Sequence, residues 1–154
     1  MRSPAFTLIE LLIVTLIIAL LSGGFMISYT NLREKAVFDD DQSKTISIIQ
    51  KARDLSLTNL QVNDLETDYY RLEVKTDGIT LTGYDIDGGT RSIGSVTFST
   101  GITSDTEFYA DYSPPYGTIT LSTGGQSQDF TIADSNGNTS TVSIGIFGGF
   151  PEAS

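Results

Sequence analysis

The sequence contains no cysteine, no histidine and no tryptophan. Without cysteine, no disulfide can hold the chain together, and the thiols that would indicate a redox compartment are missing. Without histidine, the chain lacks the commonest general base and the commonest metal ligand of proteins. Serine and threonine are abundant, but no spacing marks an activated nucleophile, a serine–lysine pair included. We therefore predict no enzymatic function and, apart from the calcium considered below, no cofactor.

Basic residues are also scarce. The chain has 9 Lys and Arg against 19 Asp and Glu, which gives a formal net charge of −10. No Lys or Arg follows Arg91. A nucleic-acid interface needs clustered cations that neutralise phosphates, whereas an acidic chain repels polyanions. We therefore do not expect the chain to bind nucleic acid.

What the sequence does have is a long apolar segment near its N-terminus. Residues 11–32 carry no charged side chain, and as a helix these 22 residues would cross a hydrocarbon core of about 30 Å. Arg33, Glu34 and Lys35 end the run, and Arg2 before it favours a cytoplasmic N-terminus. The segment is longer than the apolar region of an ordinary secretory signal, while a simple signal anchor fits its length equally well.

Glu10 lies within this apolar surrounding, where an unpaired carboxylate costs several kcal/mol to bury. One interpretation places it at the membrane edge, with its carboxylate among the headgroups. The other interpretation gives it a positively charged partner. The residues around it favour the second.

Residues 6–14 read FTLIELLIV. This stretch resembles the cleavage and methylation motif of type IV prepilins and type II secretion pseudopilins. The resemblance implies cleavage between Ala5 and Phe6 by a prepilin peptidase, N-methylation of Phe6, and pairing of Glu10 with the Phe6 amine of a neighbouring subunit. Because a nearby cation offsets the desolvation of a carboxylate, such a pair would set the register of assembly. The family usually has Gly where this chain has Ala5.

Residues 33–61 contain neither Gly nor Pro, and their apolar side chains recur at helical spacing. We predict that the helix continues here and buries one face, formed by Phe38, Ile46, Ile49, Ala52, Leu57 and Leu60. The other side is predicted to carry Asp40, Asp41, Lys44, Lys51 and Asp54, interrupted by Val37, Ile48 and Leu55. We expect the acidic run at residues 39–41 to be solvated, with a salt bridge to another subunit as the alternative.

From Tyr69 onward, apolar and polar residues alternate as in half-buried strands, and Gly-rich turns separate the runs. Asp77-Gly78 is a hairpin signal. The sequence therefore predicts an α+β fold, with a long N-terminal helix, half transmembrane and half amphipathic, packed on a C-terminal antiparallel β-sheet or β-sandwich, as in pilins. The predicted segments are a leader (1–5), the transmembrane and assembly half of the helix (6–32), its amphipathic half (33–61) and a β-rich domain (62–154).

The spacing of Gly and apolar residues between Phe108 and Ile146 resembles the C-terminal pattern of GspH/FimT-type minor pseudopilins. That family often ends in a basic strand, and some FimT-type members bind DNA through it. This chain ends without a basic residue. The DNA-binding activity is therefore not expected of it.

Two Asx-rich and Gly-rich segments look like the opening of a calcium loop, because they place oxygen ligands at alternating positions beside a Gly turn. The candidate ligands are Asp85 and Asp87 in the first segment and Asp134 and Asn136 in the second. Neither segment has the distant Glu that completes such a loop. Ordinary hairpin turns explain the same residues, so calcium is the alternative interpretation.

Together these features predict a structural subunit of a type IV pilus-like filament, either a minor pilin or a type II secretion pseudopilin. We expect a single-pass inner-membrane protein before assembly and an extracellular or periplasmic filament afterwards. The expected partners are the prepilin peptidase/methyltransferase, the membrane, and other pilin subunits through helix packing. The alternative is a filament-displayed adhesin or substrate-binding module, in which Tyr109, Tyr112 and Tyr116 would form an aromatic loop around Pro114-Pro115; rings packed on the sheet are the simpler interpretation.

Overall fold

The computed structural model describes residues 7–58 and 67–146, except for the side chains of residues 23–28. The chain divides into two compact units, Met1–Ala36 and Val37–Ser154. The predicted leader, the cleavage site at Ala5 and Phe6, and Leu60 all lie outside the described residues. The four predicted segment boundaries stay predictions.

Helix α1 extends over Leu8–Thr58 and passes through Gly23 and Gly24 without interruption. Thr7 caps its start, because its Oγ1 atom accepts a hydrogen bond from the backbone N–H of Glu10 at 3.4 Å. Threonine followed three residues later by glutamate is the capping-box pattern, which satisfies donors that the first turn leaves without helical partners. Within the described residues, no helix is both long enough and apolar enough to cross a membrane.

Eight strands follow among the described residues of the second unit: β1 (Thr67–Lys75), β2 (Gly78–Asp85), β3 (Thr90–Thr97), β4 (Ile102–Ser104), β5 (Phe108–Ser113), β6 (Thr118–Leu121), β7 (Ser127–Asp134) and β8 (Thr139–Gly145). They form a five-stranded sheet of order β3-β2-β1-β5-β6 and a three-stranded sheet of order β4-β7-β8. Every strand pair is antiparallel. The predicted turn at Asp77-Gly78 joins β1 to β2, with Lys75 opposite Gly78.

The core of the second unit combines residues from the helix and from both sheets. Alternate residues of β1 point into it, so that Tyr70, Leu72 and Val74 are buried while their neighbours are partly exposed. The helix contributes Phe38, Ile48, Ile49 and Ala52, and the three-stranded sheet contributes Ile102, Phe130, Ile132, Val142 and Ile144. Burying each large apolar side chain contributes about 1.5–3 kcal/mol. The predicted α+β fold, a helix packed on antiparallel sheet, is confirmed.

The buried face of the helix differs from the predicted one. It consists of Phe38, Asp41, Thr45, Ile48, Ile49, Ala52 and Ser56. Asp41 and Ile48 were assigned to the polar side and are both buried, whereas Leu57 is 48% exposed. The prediction was wrong because three polar residues, Asp41, Thr45 and Ser56, lie on the buried face. The apolar residues alone therefore indicated a face turned about the helix axis from the one that is buried.

Strands β4 and β5 were not predicted, and β5 corrects the aromatic-loop hypothesis. Tyr109 and Tyr112 belong to this strand, and Tyr112 is only 1% exposed. Its ring therefore belongs to the core, while Tyr116, beyond the cis Pro114-Pro115 bond, is 85% exposed. The prolines signalled a loop correctly, but the alternating residues before them form a strand with one buried face.

Candidate functional site

The first turn of α1 carries the one acidic residue of the apolar segment. Glu10 is exposed, and its backbone N–H donates to the carbonyl oxygen of Thr7 at 3.1 Å as well as to the Thr7 hydroxyl. It thus occupies the third helical position of the capping box, where a negative charge also interacts favourably with the helix dipole. Ala5 and Phe6, the predicted processing residues, lie outside the described part of the chain.

The helix on both sides of Glu10 presents apolar side chains in every direction. Eleven large ones between residues 8 and 21 are 47–82% exposed: Leu8, Ile9, Leu11, Leu12, Ile13, Val14, Leu16, Ile17, Ile18, Leu20 and Leu21. A helix that is apolar all round requires an apolar surrounding, whether lipid or other helices. We call this surface, at residues 8–21, the apolar segment of α1.

The hydroxyl groups in and directly after the apolar segment of α1 are satisfied within the helix itself. Thr15 Oγ1 donates to the carbonyl oxygen of Leu12 at 3.0 Å, and Ser22 Oγ donates to that of Ile18 at 2.7 Å. Such internal bonds spare the hydroxyls the cost of entering an apolar medium without a partner. Glu10 is the charged residue of this segment, and its carboxylate would need a partner if it entered an apolar medium.

Polar side chains attach the later part of the helix to strand β8 and to the segment after β3. Asp41 Oδ2 accepts a hydrogen bond from the backbone N–H of Ser99 at 2.6 Å, and Gln42 Nε2 donates to Ser140 Oγ at 2.8 Å. The side chain of Asp41 is 1% exposed, and Lys44 Nζ lies 3.9 Å from its other oxygen. The acidic run at residues 39–41 is therefore only partly solvated, which corrects the prediction. Asp41 has an intramolecular structural role.

The second candidate calcium segment forms a turn closed by its own side chains. Asp134 Oδ1 accepts from the backbone N–H groups of Asn136 and Asn138 at 2.9 and 2.8 Å, and Oδ2 accepts from Asn138 Nδ2 at 2.7 Å. The Asn138 side chain, together with these backbone donors, lowers the pKa of Asp134 below its ordinary value. These contacts account for the turn as an Asx structure.

The first candidate calcium segment, with Asp85 and Asp87, is also a turn. The Asp85 backbone accepts from Gly88 and donates to Gly89, both at 2.9 Å. Gly88 has a φ of 83°, which glycine adopts without steric cost. No group of three or more Asp, Glu, His or Cys that could hold a metal occurs among the described residues. Calcium binding stays the untested alternative to these turns.

A cluster on the five-stranded sheet brings three tyrosines around one ion pair. Arg71 donates from Nε and Nη2 to the two carboxylate oxygens of Asp111 at 2.7 and 2.8 Å. The guanidinium carbon lies 4.1 Å from the ring centre of Tyr109 and 5.4 Å from those of Tyr69 and Tyr84. We call these five residues the tyrosine–arginine patch.

Strand register explains why the patch forms. Tyr69 pairs with Tyr84 across β1 and β2, and Arg71 pairs with Asp111 across β1 and β5, so the side chains share one face of the sheet. The bidentate bond to Asp111 raises the pKa of Arg71, and partial burial raises the pKa of Tyr69. The sequence alone does not predict this patch. The alternation in β1 places Tyr69 and Arg71 on the outer face, but their neighbours across the sheet depend on pairing with distant strands.

Comparison with known protein families gives a match at the N-terminus. Residues 1–26 match the family described as the prokaryotic N-terminal methylation motif. No curated protein and no solved structure matches the chain. The match supports the prediction of a type IV pilin-like or pseudopilin chain whose N-terminus is cleaved and methylated, and the motif is one of structural subunits, not of an enzyme family.

Proposed function

From the prepilin-type methylation motif, we propose that the protein is a structural subunit of a type IV pilus-like filament, either a minor pilin or a type II secretion pseudopilin. The prepilin peptidase/methyltransferase would cut between Ala5 and Phe6 and methylate Phe6. The subunit would reside in the inner membrane before assembly and in an extracellular or periplasmic filament afterwards. The observation that carries this proposal is the match of residues 1–26 to the methylation motif. The apolar segment of α1, whose exposed side chains require lipid or neighbouring helices, agrees with it.

Glu10 fits the assembly function through its charge and its position. Cleavage before Phe6 would create a cationic amine four residues away in the sequence, and the same amine on a neighbouring subunit would offset the cost of burying the Glu10 carboxylate between apolar helices. This pairing would select one register among the many that an evenly apolar surface permits. The capping box is a competing explanation for the same residue, because it too places glutamate three residues after threonine.

Three variants separate these two functions of Glu10. Glu10→Gln keeps a side chain that suits the capping box but removes the charge, Glu10→Ala removes both, and Thr7→Ala removes the capping hydroxyl while keeping the charge. We expect both Glu10 variants to be lost from sheared filaments and Thr7→Ala to remain in them. Incorporation of Glu10→Gln at the normal level would refute charge pairing and leave capping as the function.

Mass spectrometry of the mature N-terminus tests the processing step. The expected chain begins with N-methylated Phe6 in the unmodified protein and in all three variants, so that differences in incorporation reflect assembly alone. An intact leader in the filament fraction would contradict the proposed function.

We propose, as a second function, that the filament displays a binding surface. The tyrosine–arginine patch favours this, since Tyr109 is 39% exposed within it. The aromatic loop suggested by the sequence does not support the proposal in its original form, because Tyr112 is buried.

A further inference from the structure

The tyrosine–arginine patch combines aromatic and polar groups that are held in place by their own contacts. The rings of Tyr69 and Tyr84 stack with centres 4.6 Å apart and planes inclined by 9°. The guanidinium of Arg71 is fixed by two hydrogen bonds to Asp111 and by the adjacent tyrosine rings. Since these side chains are already ordered, a ligand would lose little of its binding energy to arranging them.

The patch is close to electrically neutral within a strongly acidic chain. The bidentate pair joins one positive and one negative charge, with side chains 29% and 19% exposed. Its charges therefore compensate each other, while the charge of −10 on the whole chain disfavours an anionic ligand. A neutral ligand that offers both hydrogen-bond donors and acceptors therefore suits the patch better than an anion.

The surrounding face of the sheet is rich in short hydroxyl side chains. Strand pairing places Thr80 and Thr82 of β2 and Thr118 and Thr120 of β6 on that face. Glu73 of β1 also lies there, opposite Tyr109, and Lys75 Nζ lies 3.1 Å from its carboxylate, so that these two charges also compensate each other. The exposed large hydrophobic residues of the described part of the second unit are Val37, Leu57, Ile86, Tyr109 and Tyr116, of which Tyr109 alone lies in the patch. The patch itself therefore carries no exposed aliphatic side chain, although tyrosine and arginine are also enriched at the centres of protein interfaces.

From this arrangement we infer that the tyrosine–arginine patch binds a neutral saccharide. The C–H faces of a hexose ring are apolar and pack on tyrosine rings, while its hydroxyls donate to carboxylates and accept from guanidinium groups. The Arg71–Asp111 pair offers one group of each kind, and the nearby threonines extend the polar surface. This inference rests on the second proposed function, the display of a binding surface, and it is independent of filament assembly.

Binding is tested on the full-length chain in a zwitterionic detergent without sugar headgroups. The probes are cellohexaose and chitohexaose as neutral saccharides and sialyllactose as an anionic one, measured by titration calorimetry. We expect a neutral saccharide to bind and sialyllactose not to bind. Arg71→Lys, which keeps the charge but loses the bidentate fork, and Tyr109→Ala should each weaken binding about tenfold.

Two controls separate binding from folding. Tyr116→Ala removes a tyrosine that is 85% exposed outside the patch, and it should bind like the unmodified chain. Tyr109→Phe keeps the ring and should bind within about threefold of it. Urea unfolding of each variant identifies any that has lost its fold. The inference is overturned if no neutral saccharide binds, or if folded Arg71→Lys and Tyr109→Ala variants bind normally.

Filaments that carry Arg71→Lys distinguish failure of the saccharide inference from failure of the proposal that the filament displays a binding surface. Unchanged filament number with reduced surface attachment, together with saccharide binding that the substitution weakens, supports the inference. Reduced attachment without any saccharide binding would overturn the saccharide as ligand and indicate a protein partner, for which tyrosine and arginine are also common anchors. Unchanged attachment would overturn display, and loss of filaments would show that the patch contacts other subunits instead.

Discussion

Replacing Asp41 by alanine should destabilise the second unit far more than replacing its neighbour Asp40. The Asp41 carboxylate is buried and accepts the Ser99 backbone N–H at 2.6 Å, so it joins the helix to the segment after β3. Asp40 is about 60% exposed and is paired with Lys44 on the same helix. The two residues are adjacent in the sequence and chemically identical, so they form a matched pair.

The magnitude follows from the hydrogen bond that is lost. A bond to a charged acceptor contributes about 1.5–3 kcal/mol, and the alanine variant leaves the Ser99 N–H without this acceptor. Relief from burying a carboxylate offsets part of this loss. We therefore expect Asp41→Ala to lower the free energy of unfolding by about 2 kcal/mol, or the Tm by about 4–8 °C. Asp40→Ala removes a surface ion pair and should cost about 0.5 kcal/mol or less.

The assay is urea unfolding of the full chain in detergent, followed by the near-ultraviolet circular dichroism of its tyrosines. The chain has no tryptophan, and Tyr70 and Tyr112 are both 1% exposed, so this signal reports on core packing. Asp41→Asn keeps an oxygen acceptor and should fall between the two alanine variants. Equal unfolding midpoints for Asp40→Ala and Asp41→Ala would refute the structural role assigned to Asp41.

Two further predictions concern the strands and turns of the second unit. Tyr112→Ala should lower the free energy of unfolding by about 3–5 kcal/mol, because it leaves a cavity in the core. Tyr116→Ala should change this free energy by about 0.5 kcal/mol or less. The urea midpoints of the two variants check this, and equal midpoints would place Tyr112 outside the core. Hydrogen bonds lower the pKa of Asp134 in the folded chain below its ordinary value of 3.8. As the pH falls, the Asp134 carboxylate is therefore protonated in the unfolded chain before it is protonated in the folded chain. The stabilisation from Asp134 is present above pH 3.8 and is lost as the pH falls through the lower folded pKa. An NMR titration of the Asp134 carboxyl carbon should show a midpoint below 3.8, and a midpoint at or above that value would contradict the Asx turn.

Local patterns predicted the class of fold because apolar and polar residues alternate within a single strand. In β1 the alternation of buried Tyr70, Leu72 and Val74 with outward residues is visible in the sequence itself, and Asp77-Gly78 marks the first hairpin. Strand β4 has three residues, which is too short for a period to be recognised. In β5 the aromatic residues next to two prolines favoured a loop, although the strand continues to Ser113.

The orientation of the helix could not be obtained in the same way. A hydrophobic pattern assigns every acidic residue to solvent, but Asp41 is buried because a backbone donor from a distant part of the chain, at Ser99, lies opposite it. Likewise, nothing near Arg71 in the sequence shows that Asp111, forty residues later, is its partner. Both contacts depend on which strands and loops come together.

The sequence by itself determined the N-terminal motif around Glu10 and the evenly apolar segment after it, since cleavage, methylation and affinity for apolar surroundings depend on residues that are contiguous in the chain. It also determined the α+β class, because helical and strand periods are local. Only the tertiary structure decided which face of the helix is buried, that Tyr112 belongs to the core, and that Tyr69, Tyr84 and Tyr109 surround one ion pair. The buried helix face depends on the distant residues that pack against it, such as Ser99. The tyrosine positions depend on strand register, which joins residues that the sequence keeps far apart.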